Sequence, residues 1–370
     1  MPRTAAQSLS LQALNRATLA RQLLLARAGA SPHQAIASLA GMQGQVPKPP
    51  FIGLWTRLEG FKREDLASLV HRREVVRATM MRGTIHYMTA EDYRRLRPAL
   101  SEMLSGAIAT TLRGRAEGLD LEGVAGAARE LFAEGPRTFT ELRGQLMARF
   151  PEGDERVMGF AARMHLPLVM VPDDSAWAYP ADAAFTLAET WLGAELAPVD
   201  TPHELVRRYL AAFGPATVAD AQTWSGLKGL KPVFEALRDE LVTFKDPKGR
   251  ELFDLPDAPR PGEEVSAPMR FLPEYDNLVL AHADRTRLVD DAHRARLVTK
   301  NLKVLASFTV DGRIAGTWSI ERKAKRATLA LSPFEAIAPA DRDALAAEGE
   351  ALLRFAEPDA ASHELSFLPV

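Results

Sequence analysis

Residues 202–255 read PHELVRRYLAAFGPATVADAQTWSGLKGLKPVFEALRDELVTFKDPKGRELFDL. Apolar residues recur at helical spacing from Pro202 to Phe213, and Gly214-Pro215-Ala216-Thr217 then begins a second helix that continues to Trp224. A third helix is predicted from Leu230 to Glu240. Two extended runs flank the following Asp-Pro-Lys-Gly turn, at Leu241 to Phe244 and Glu251 to Leu255. Three helices followed by a β-hairpin are typical of a winged helix-turn-helix.

The same order of elements precedes this stretch. Leu121 to Ala133 is predicted to be helical, Gly135-Pro136-Arg137-Thr138 begins a helix that continues to Phe150, and Glu155 to Met164 forms the next helix. We expect the Thr138 and Thr217 hydroxyls to cap their helices. The predicted hairpin of this unit has a Pro-Asp-Asp turn between two strands, Leu168 to Val171 and Trp177 to Tyr179.

The N-terminal part repeats the pattern less regularly. Its predicted helices are followed by a two-stranded ribbon around Arg82 and Gly83. Ser31 and Pro32 mark a helix start. A Pro-rich turn with Pro47, Pro49 and Pro50 is then expected to stop any helix before the apolar segment 51–58. The predicted helices are Asn15 to Ala28, Ser31 to Gly41 and Asp65 to His71, and the strands are Glu74 to Met80 and Thr84 to Met88.

Beyond Pro261 strands dominate, with one helix predicted from Ala340 to Phe355. The expected strands are Met269 to Leu272, Val304 to Val310, Ile314 to Ile320 and Ala327 to Leu331. We therefore predict a mainly helical α+β protein with three tandem winged helix-turn-helix motifs and a C-terminal β-barrel-like domain or curled sheet that carries a basic β-hairpin. The predicted boundaries are 1–95, 96–183, 184–260 and 261–370.

Composition excludes several classes of chemistry. The chain has 370 residues, of which 46% are hydrophobic and 25% charged, and no cysteine. Disulfides, thiolate zinc sites, iron–sulfur clusters and a cysteine nucleophile are thereby excluded. The eight histidines form no H-E-x-x-H pattern, so we expect neither a metal nor another cofactor.

The sequence also indicates where in the cell the protein is found. It has no apolar run of 18 residues, so we expect no membrane association. The first 57 residues contain no acid, as in an organellar transit peptide, but their helical pattern continues directly into the Gln43-Gly44-Gln45 elbow. We therefore expect a cytoplasmic bacterial protein associated with the nucleoid.

Charge is distributed unevenly along the chain. The net charge is −2, yet residues 285–326 contain eleven Lys and Arg against four acids, whereas 335–364 contain eight acids against two Arg. Such segregation indicates one face toward phosphate and another toward solvent. Ordinary solvated surfaces with a local bias are the alternative.

Several segments together resemble a known family. They are residues 14–22 (LNRATLARQ), 42–47 (MQGQVP), 53–55 (GLW), 81–86 (MRGTIH), 271–277 (FLPEYDN), 282–285 (HADR), 316–318 (GTW) and 333–334 (PF). In this order they are similar to winged-helix DNA glycosylases of the AlkZ type. The resemblance spans almost the whole chain.

The resemblance implies three winged helices and a barrel around a basic surface that holds duplex DNA. It further implies release of N7-alkylated purines and, in some members, unhooking of interstrand crosslinks. The family's catalytic motif, two glutamines around a usually apolar residue, falls on Gln43 and Gln45, with Gly44 departing from the bulky middle residue. We expect a monomer without a lysine nucleophile, and hence a monofunctional enzyme.

Two amides suit this chemistry. An N7-alkylated purine is cationic and leaves readily, so the enzyme must chiefly position a water and stabilise an oxocarbenium-like sugar. A glutamine carbonyl can accept a hydrogen bond from that water, although it is a poor general base. From the residues alone, the favoured interpretation is that Gln43 and Gln45 are polar side chains that satisfy backbone groups at a helix end beside the Pro-rich turn. The resemblance to the family reverses that preference.

Other residues are candidates for DNA contacts or compete for the chemistry. Glu274, Asp276 and Asp284 could activate water, but hydrogen bonding within a loop is the favoured interpretation. Trp55 and Trp318 are expected to pack in the core rather than stack on bases. The residues expected to contact DNA are Lys48, Arg82, His86, Asn277, Arg285, Arg322, Lys323, Lys325 and Arg326.

Two functions from other classes remain open at this point. Winged helices more often bind operators than cleave glycosidic bonds, so a transcription regulator without catalytic activity is the main alternative. Against it, three such modules without a separate ligand domain would be unusual. A protein that sequesters a drug is the other alternative.

Overall fold

The computed structural model describes residues 7–112, 114–198 and 202–370, and these form a mixed α+β fold. The helices are α1 (Leu11–Arg21), α2 (Pro32–Ser38), α3 (Lys48–Arg57), α4 (Arg63–His71), α5 (Ala90–Leu96), α6 (Ser101–Leu112), α7 (Leu121–Glu134), α8 (Phe139–Arg149), α9 (Glu155–His165), α10 (Ala188–Leu192), α11 (His203–Phe213), α12 (Val218–Ser225), α13 (Lys231–Ala236), α14 (Asn277–Leu280), α15 (Asp291–Arg294) and α16 (Pro339–Ala356). Among the described residues, no helix is both long and apolar enough to cross a membrane.

The strands form two five-stranded sheets and one hairpin. They are β1 (Met42–Gln43), β2 (Val75–Thr79), β3 (Ile85–Thr89), β4 (Leu168–Met170), β5 (Phe185–Leu187), β6 (Val242–Lys245), β7 (Glu251–Asp254), β8 (Arg270–Leu272), β9 (Ser307–Val310), β10 (Arg313–Lys323), β11 (Arg326–Pro333) and β12 (Ser362–Phe367).

The first sheet has the order β1-β3-β2-β4-β5, so the N-terminal ribbon and the strands of the next repeat share one sheet. The predicted ribbon of β2 and β3 is confirmed, with Val75 opposite Thr89 and Thr79 opposite Ile85. The strand predicted over Trp177 to Tyr179 is wrong, because those residues lie in a turn where Ala178 has a φ of 61°. The partner of β4 is instead β5, which lies further along the chain.

Local capping explains where several helices begin. The Thr138 hydroxyl accepts a hydrogen bond from the Glu141 backbone N–H, and the Glu141 carboxylate accepts one from the Thr138 N–H. Thr217 and Asp220 form the same reciprocal pair at the start of α12. Both predicted caps are therefore confirmed, and each satisfies two N–H groups that the helix itself leaves unpaired.

The N-terminal helices differ from expectation in their bounds. Helix α1 ends at Arg21, well before the predicted end at Ala28, and Leu23 adopts a left-handed φ of 56°. Helix α3 includes Pro49 and Pro50, which were expected to end any helix. Both prolines occupy the first turn of the helix. Backbone N–H groups there have no acceptor within the helix, so proline, which lacks an N–H, costs no hydrogen bond.

The C-terminal sheet has the order β12-β11-β10-β9-β8 and is open, with β8 and β12 at its two ends. These strands therefore do not form a closed barrel. Strand β12, which was not predicted, pairs in parallel with β11, and such a pair requires the crossover that α16 provides. Leu329 and Leu331 of β11 are buried in one cluster with Leu352 of α16.

Buried ion pairs join the N-terminal helices to two later parts of the chain. Arg57 of α3 donates two hydrogen bonds to Asp276, each 2.9 Å long, and the two side chains are only 1% and 2% exposed. Arg21 of α1 makes a similar pair with Asp254 at 2.7 and 2.8 Å. The pair of Arg57 and Asp276 brings the segment before α3, which contains Gln43 and Gln45, next to the segment that follows β8.

We predict that Arg57→Ala lowers the free energy of unfolding by about 3–5 kcal/mol, because it leaves the Asp276 carboxylate buried without its partner. Urea denaturation followed by circular dichroism measures the loss. The matched control is Arg95→Ala, which removes an arginine from an exposed pair with Glu91 and should change stability by no more than about 0.5 kcal/mol. Equal losses in the two variants would contradict the assignment of Arg57 as a structural anchor.

Candidate active site

Gln43 lies on the short edge strand β1, where it pairs with His86 of β3. The free edge of β1 is covered by Asn277, whose Oδ1 accepts a hydrogen bond from the Gln43 N–H at 3.2 Å. The Asn277 Nδ2 donates to the Gly41 carbonyl at 2.5 Å. Asn277 was expected to contact DNA, but it is buried. Its side-chain amide forms hydrogen bonds with the backbone along the outer edge of β1.

The Gln43 side chain is held by Arg82, and the residue is 7% exposed. The Arg82 Nη2 donates to the Gln43 Oε1 at 2.7 Å, and its Nη1 donates to the carbonyl of Trp224 at the end of α12. Arg82 itself has a φ of 58° at the tip of the ribbon between β2 and β3. Its guanidinium thus connects the Gln43 amide to α12.

Gln45 is partly exposed, two residues along the elbow. Its Oε1 accepts a hydrogen bond from the Ile85 N–H at 3.3 Å. The elbow backbone is held by Arg77, which donates to the Gly44 carbonyl at 3.0 Å and to the Gln45 carbonyl at 3.1 Å. Each glutamine oxygen therefore has one protein donor, and an sp² oxygen can accept a second hydrogen bond from water.

A residue larger than glycine at position 44 would meet a steric obstacle. A Cβ added to Gly44 would lie 2.6 Å from two ring atoms of Tyr87, a separation that real Cβ atoms do not show. Tyr87 is fully buried and packs edge-on against Phe51 and Tyr179. The ring of Tyr87 therefore occupies the space that a larger residue at position 44 would need.

His86, which pairs with Gln43 across the two strands, is fully buried. Its Nδ1 lies 3.0 Å from the Thr84 carbonyl oxygen, to which it donates as the neutral tautomer. The Nε2 is buried without a hydrogen-bond partner. Burial, reinforced by the positive charge of Arg82, lowers the pKa of His86 to about 3, so the ring is neutral at physiological pH. His86 was expected near DNA, but in this structure it does not reach the surface.

Arg82, which binds Gln43, has a second positively charged side chain, Arg285, in its neighbourhood. Burial lowers the pKa of Arg82 to about 10, with a further contribution from Arg285, and both groups stay charged at neutral pH. Burial and the neighbouring Arg294 lower the pKa of Arg285 as well, and its Nε has no hydrogen-bond partner. Within the described residues, neither Arg82 nor Arg285 forms an ion pair with a carboxylate.

The three carboxylates that competed for a catalytic role are all in ion pairs. Asp276 is bound by Arg57, as described above, and also accepts the Leu278 N–H at 3.0 Å. Asp284 accepts hydrogen bonds from Lys248 and Arg250, which together with Thr286 hold its pKa well below the usual range. Glu274 lies 2.7 Å from the Lys303 ammonium. These contacts favour the structural interpretation of all three groups.

The basic hairpin between β10 and β11 is exposed, but most of its cations have acidic neighbours. Arg322 lies 3.4 Å from Glu357, Lys323 lies 3.0 Å from Glu321, and Arg326 lies 3.6 Å from Glu364. Lys325 has no ion pair within the part of the chain that the structure describes. Lys48, at the start of α3, is bound to Glu357 at 2.7 Å and lies over the ring of Trp177.

Both tryptophans singled out in the sequence pack against other residues of the protein, Trp318 buried and Trp55 partly buried. The Trp318 indole N–H donates to the carbonyls of Leu272 and Ser307. Trp55 stacks on Phe355 with ring centroids 5.8 Å apart. In the described residues, no group of three or more His, Asp or Glu is arranged to hold a metal ion.

Sequence reasoning did not single out Arg77, which holds the elbow backbone. Its signal was present in the sequence, because it is the one charged residue in the apolar strand Val75-Val76-Arg77-Ala78. A buried arginine in a strand must find acceptors, and here these are carbonyls of the elbow.

Comparison with known proteins identifies the family. A family model described as DNA glycosylase AlkZ-like matches residues 36–355, most of the chain. The chain belongs to the AlkZ-like DNA glycosylase family. It is accordingly a DNA glycosylase, an enzyme that hydrolyses N-glycosidic bonds in DNA, and the predicted family and enzyme class are confirmed.

A relative and a solved structure support this membership of the AlkZ-like family. The chain is 26% identical over 341 residues to an interstrand DNA cross-link repair glycosylase of Streptomyces sahachiroi, across 85% of this chain and 88% of the relative. Its fold matches the Streptomyces sahachiroi DNA glycosylase AlkZ with a TM-score of 0.80 and 21% identity, covering 98% of this chain and all of that one. The likeness to the solved structure shows the common fold.

Proposed function

We propose that this AlkZ-like glycosylase releases N7-alkylated purines from duplex DNA and unhooks interstrand crosslinks, with Gln43 and Gln45 as its catalytic residues. The observation that carries the proposal is the fixed orientation of the two amides, which Arg82 and the Ile85 N–H hold at the two ends of the elbow. The crosslink-repair name of the Streptomyces relative supports the choice of substrate.

The proposed domain organisation follows the repeated order of elements. Three winged helices would cover 1–95, 96–183 and 184–260, and a β-rich domain would cover 261–370. In this organisation, the ribbon β2–β3 is the wing of the first unit, the pair β4–β5 that of the second, and the hairpin β6–β7 that of the third. This arrangement presents Lys48, Arg285 and the basic hairpin as candidate contacts to DNA phosphates, which are the main source of affinity for a duplex.

The proposed chemistry needs no strong acid. The alkylated base carries a positive charge and departs without protonation, while the Gln43 and Gln45 oxygens accept hydrogen bonds from a water beside C1′. Their carbonyl dipoles also stabilise the developing oxocarbenium-like sugar. The carboxylate of Asp276, close to the elbow, does not take part, since it is occupied by Arg57.

The small cavity beside Gln43 is not a pocket for a flipped base. The cavity there has a volume of about 10 Å³, room for about one water molecule, and Met42, Gln43, Arg57 and Asn277 are among its walls. A purine does not fit such a space. A base tied to the opposite strand cannot swing into a deep pocket either, so we propose that the sugar is reached within the groove.

Release of 7-methylguanine tests the function. We expect the purified protein to release this base from duplex DNA in the presence of EDTA, because the proposed mechanism uses amides rather than a metal. No strand cleavage at the abasic product should follow, since no lysine nucleophile is proposed. Liquid chromatography of the released base and a denaturing gel measure the two steps. Absence of base release from this substrate would overturn the proposed specificity for N7-alkylated purines.

Single-turnover excision by glutamine variants tests the catalytic assignment. Gln43→Ala and Gln45→Ala should each reduce the rate by about ten- to a thousandfold, as expected for loss of one oriented dipole. Gln45→Glu should keep more activity than Gln45→Ala, because a carboxylate of similar shape can still hold the water. Affinity for undamaged DNA should hardly change, as neither residue is charged.

The matched control for the glutamine variants is Asp284→Asn, which changes a carboxylate that is already held by Lys248 and Arg250. It should keep the parental excision rate. Full activity in both alanine variants, together with loss of activity in Asp284→Asn, would move the chemistry to the C-terminal segment.

Replacing Arg322, Lys323, Lys325 and Arg326 together by alanine tests the basic hairpin. If these side chains bind phosphates, DNA binding should weaken, and the slope of log K against log salt should fall by about 0.9 for each phosphate that is no longer neutralised. Fluorescence anisotropy at several salt concentrations measures the slope. An unchanged slope would show that the hairpin is a solvated turn whose charges are balanced by Glu321, Glu357 and Glu364.

A further inference from the structure

Arg82 is bound to protein oxygens on both sides of its guanidinium. One terminal nitrogen donates to the Gln43 side chain and the other to the main-chain carbonyl of Trp224. A guanidinium carries its donors in a rigid planar fork, so two occupied nitrogens fix the orientation of the whole group. The sequence had suggested Arg82 as a phosphate contact, but these bonds direct it toward the elbow instead.

The backbone of Arg82 is held in place as firmly as its side chain. Arg82 is a non-glycine residue with a φ of 58°, and such a conformation persists only where the surroundings hold it. Those surroundings include Gly226, which follows α12 with a φ of 84°. A Cβ on Gly226 would lie 3.1 Å from the Cα and 3.2 Å from the N of Arg82, so the two turns meet backbone to backbone.

We infer that Arg82 is a positioning residue that orients the Gln43 amide for catalysis, and that the turn after α12 sets the position of Arg82. This inference rests on the proposed catalytic role of Gln43. An amide can rotate about its last side-chain bond. The bond from Arg82 occupies one lone pair of the Gln43 oxygen and leaves the other in a defined direction for water.

The inference gives the third helical unit a part in the chemistry. Trp224 lies 142 residues beyond Arg82 in sequence, and its carbonyl supplies the second anchor of the fork. Trp224 is itself immobilised in the core, where its ring lies 5.2 Å from that of Tyr209. The orientation of Gln43 thus depends on the packing of α11 and α12.

A double-mutant cycle with single-turnover excision of 7-methylguanine tests the inference. Arg82→Ala should lower the rate by about tenfold or more, within the range for losing the Gln43 dipole itself. The double variant Arg82→Ala with Gln43→Ala should be no slower than Gln43→Ala alone, because Arg82 acts only through that amide. Arg82→Lys should recover part of the rate, since one ammonium can replace one of the two bonds.

Salt dependence separates positioning from DNA binding. Arg82→Ala should leave the slope of log K against log salt unchanged, whereas removal of a side chain that neutralises a phosphate would reduce the slope by about 0.9. Gly226→Ala adds a remote test that alters no charge. It should lower the excision rate and leave the salt slope unchanged, because the new methyl group displaces the Arg82 backbone.

The outcomes distinguish this inference from the proposed function. Parental activity in Gln43→Ala would overturn the catalytic assignment and the inference together. A large loss in Gln43→Ala with parental rates in Arg82→Ala and Gly226→Ala would overturn the inference alone. A reduced salt slope in Arg82→Ala, or a further rate loss in the double variant, would show that Arg82 acts on DNA directly. Thermal unfolding of each variant confirms that the rates refer to folded protein.

Discussion

The buried pair of Arg57 and Asp276 is the constraint on which the rest of the site depends. A charge pair removed from water is tolerated only if its remaining donors and acceptors are satisfied, and here they are. Arg57 also donates to the carbonyls of Gln22 and Gly53, and Asp276 accepts the Leu278 N–H. The pair thereby places the next residue, Asn277, against the edge of β1.

That placement connects folding to the proposed catalytic elbow. An edge strand of two residues has few hydrogen bonds of its own, and Asn277 supplies two on its open side. Arg77 supplies two more to the elbow carbonyls, and Arg82 holds the Gln43 side chain. The elbow therefore has little freedom to rearrange, as preorganised electrostatic catalysis requires. Gln43 is a neutral amide that accepts one hydrogen bond from Arg82, whereas the Asp276 carboxylate is held in an ion pair by two hydrogen bonds from Arg57.

Much of the secondary structure could be predicted from the sequence because its signals are local. Thr138 and Glu141 lie three residues apart, and the same spacing separates Thr217 from Asp220. The β2–β3 ribbon is equally local, because only a short turn at Arg82 and Gly83 joins its two strands. Strands without such signals were missed: β5 follows a turn of irregular length, and β12 pairs in parallel only after α16 has crossed the sheet.

The sequence by itself determined the order of the elements, their caps, the family and the two glutamines of the elbow. Only the tertiary structure decided that the first two repeats share a sheet, that the C-terminal sheet stays open, and that His86 and Asn277 lie inside the protein. Gln43 meets Arg82 across 39 residues and Asn277 across 234. Contacts at such separations depend on how whole elements pack, whereas helix periodicity and caps act within one or two turns.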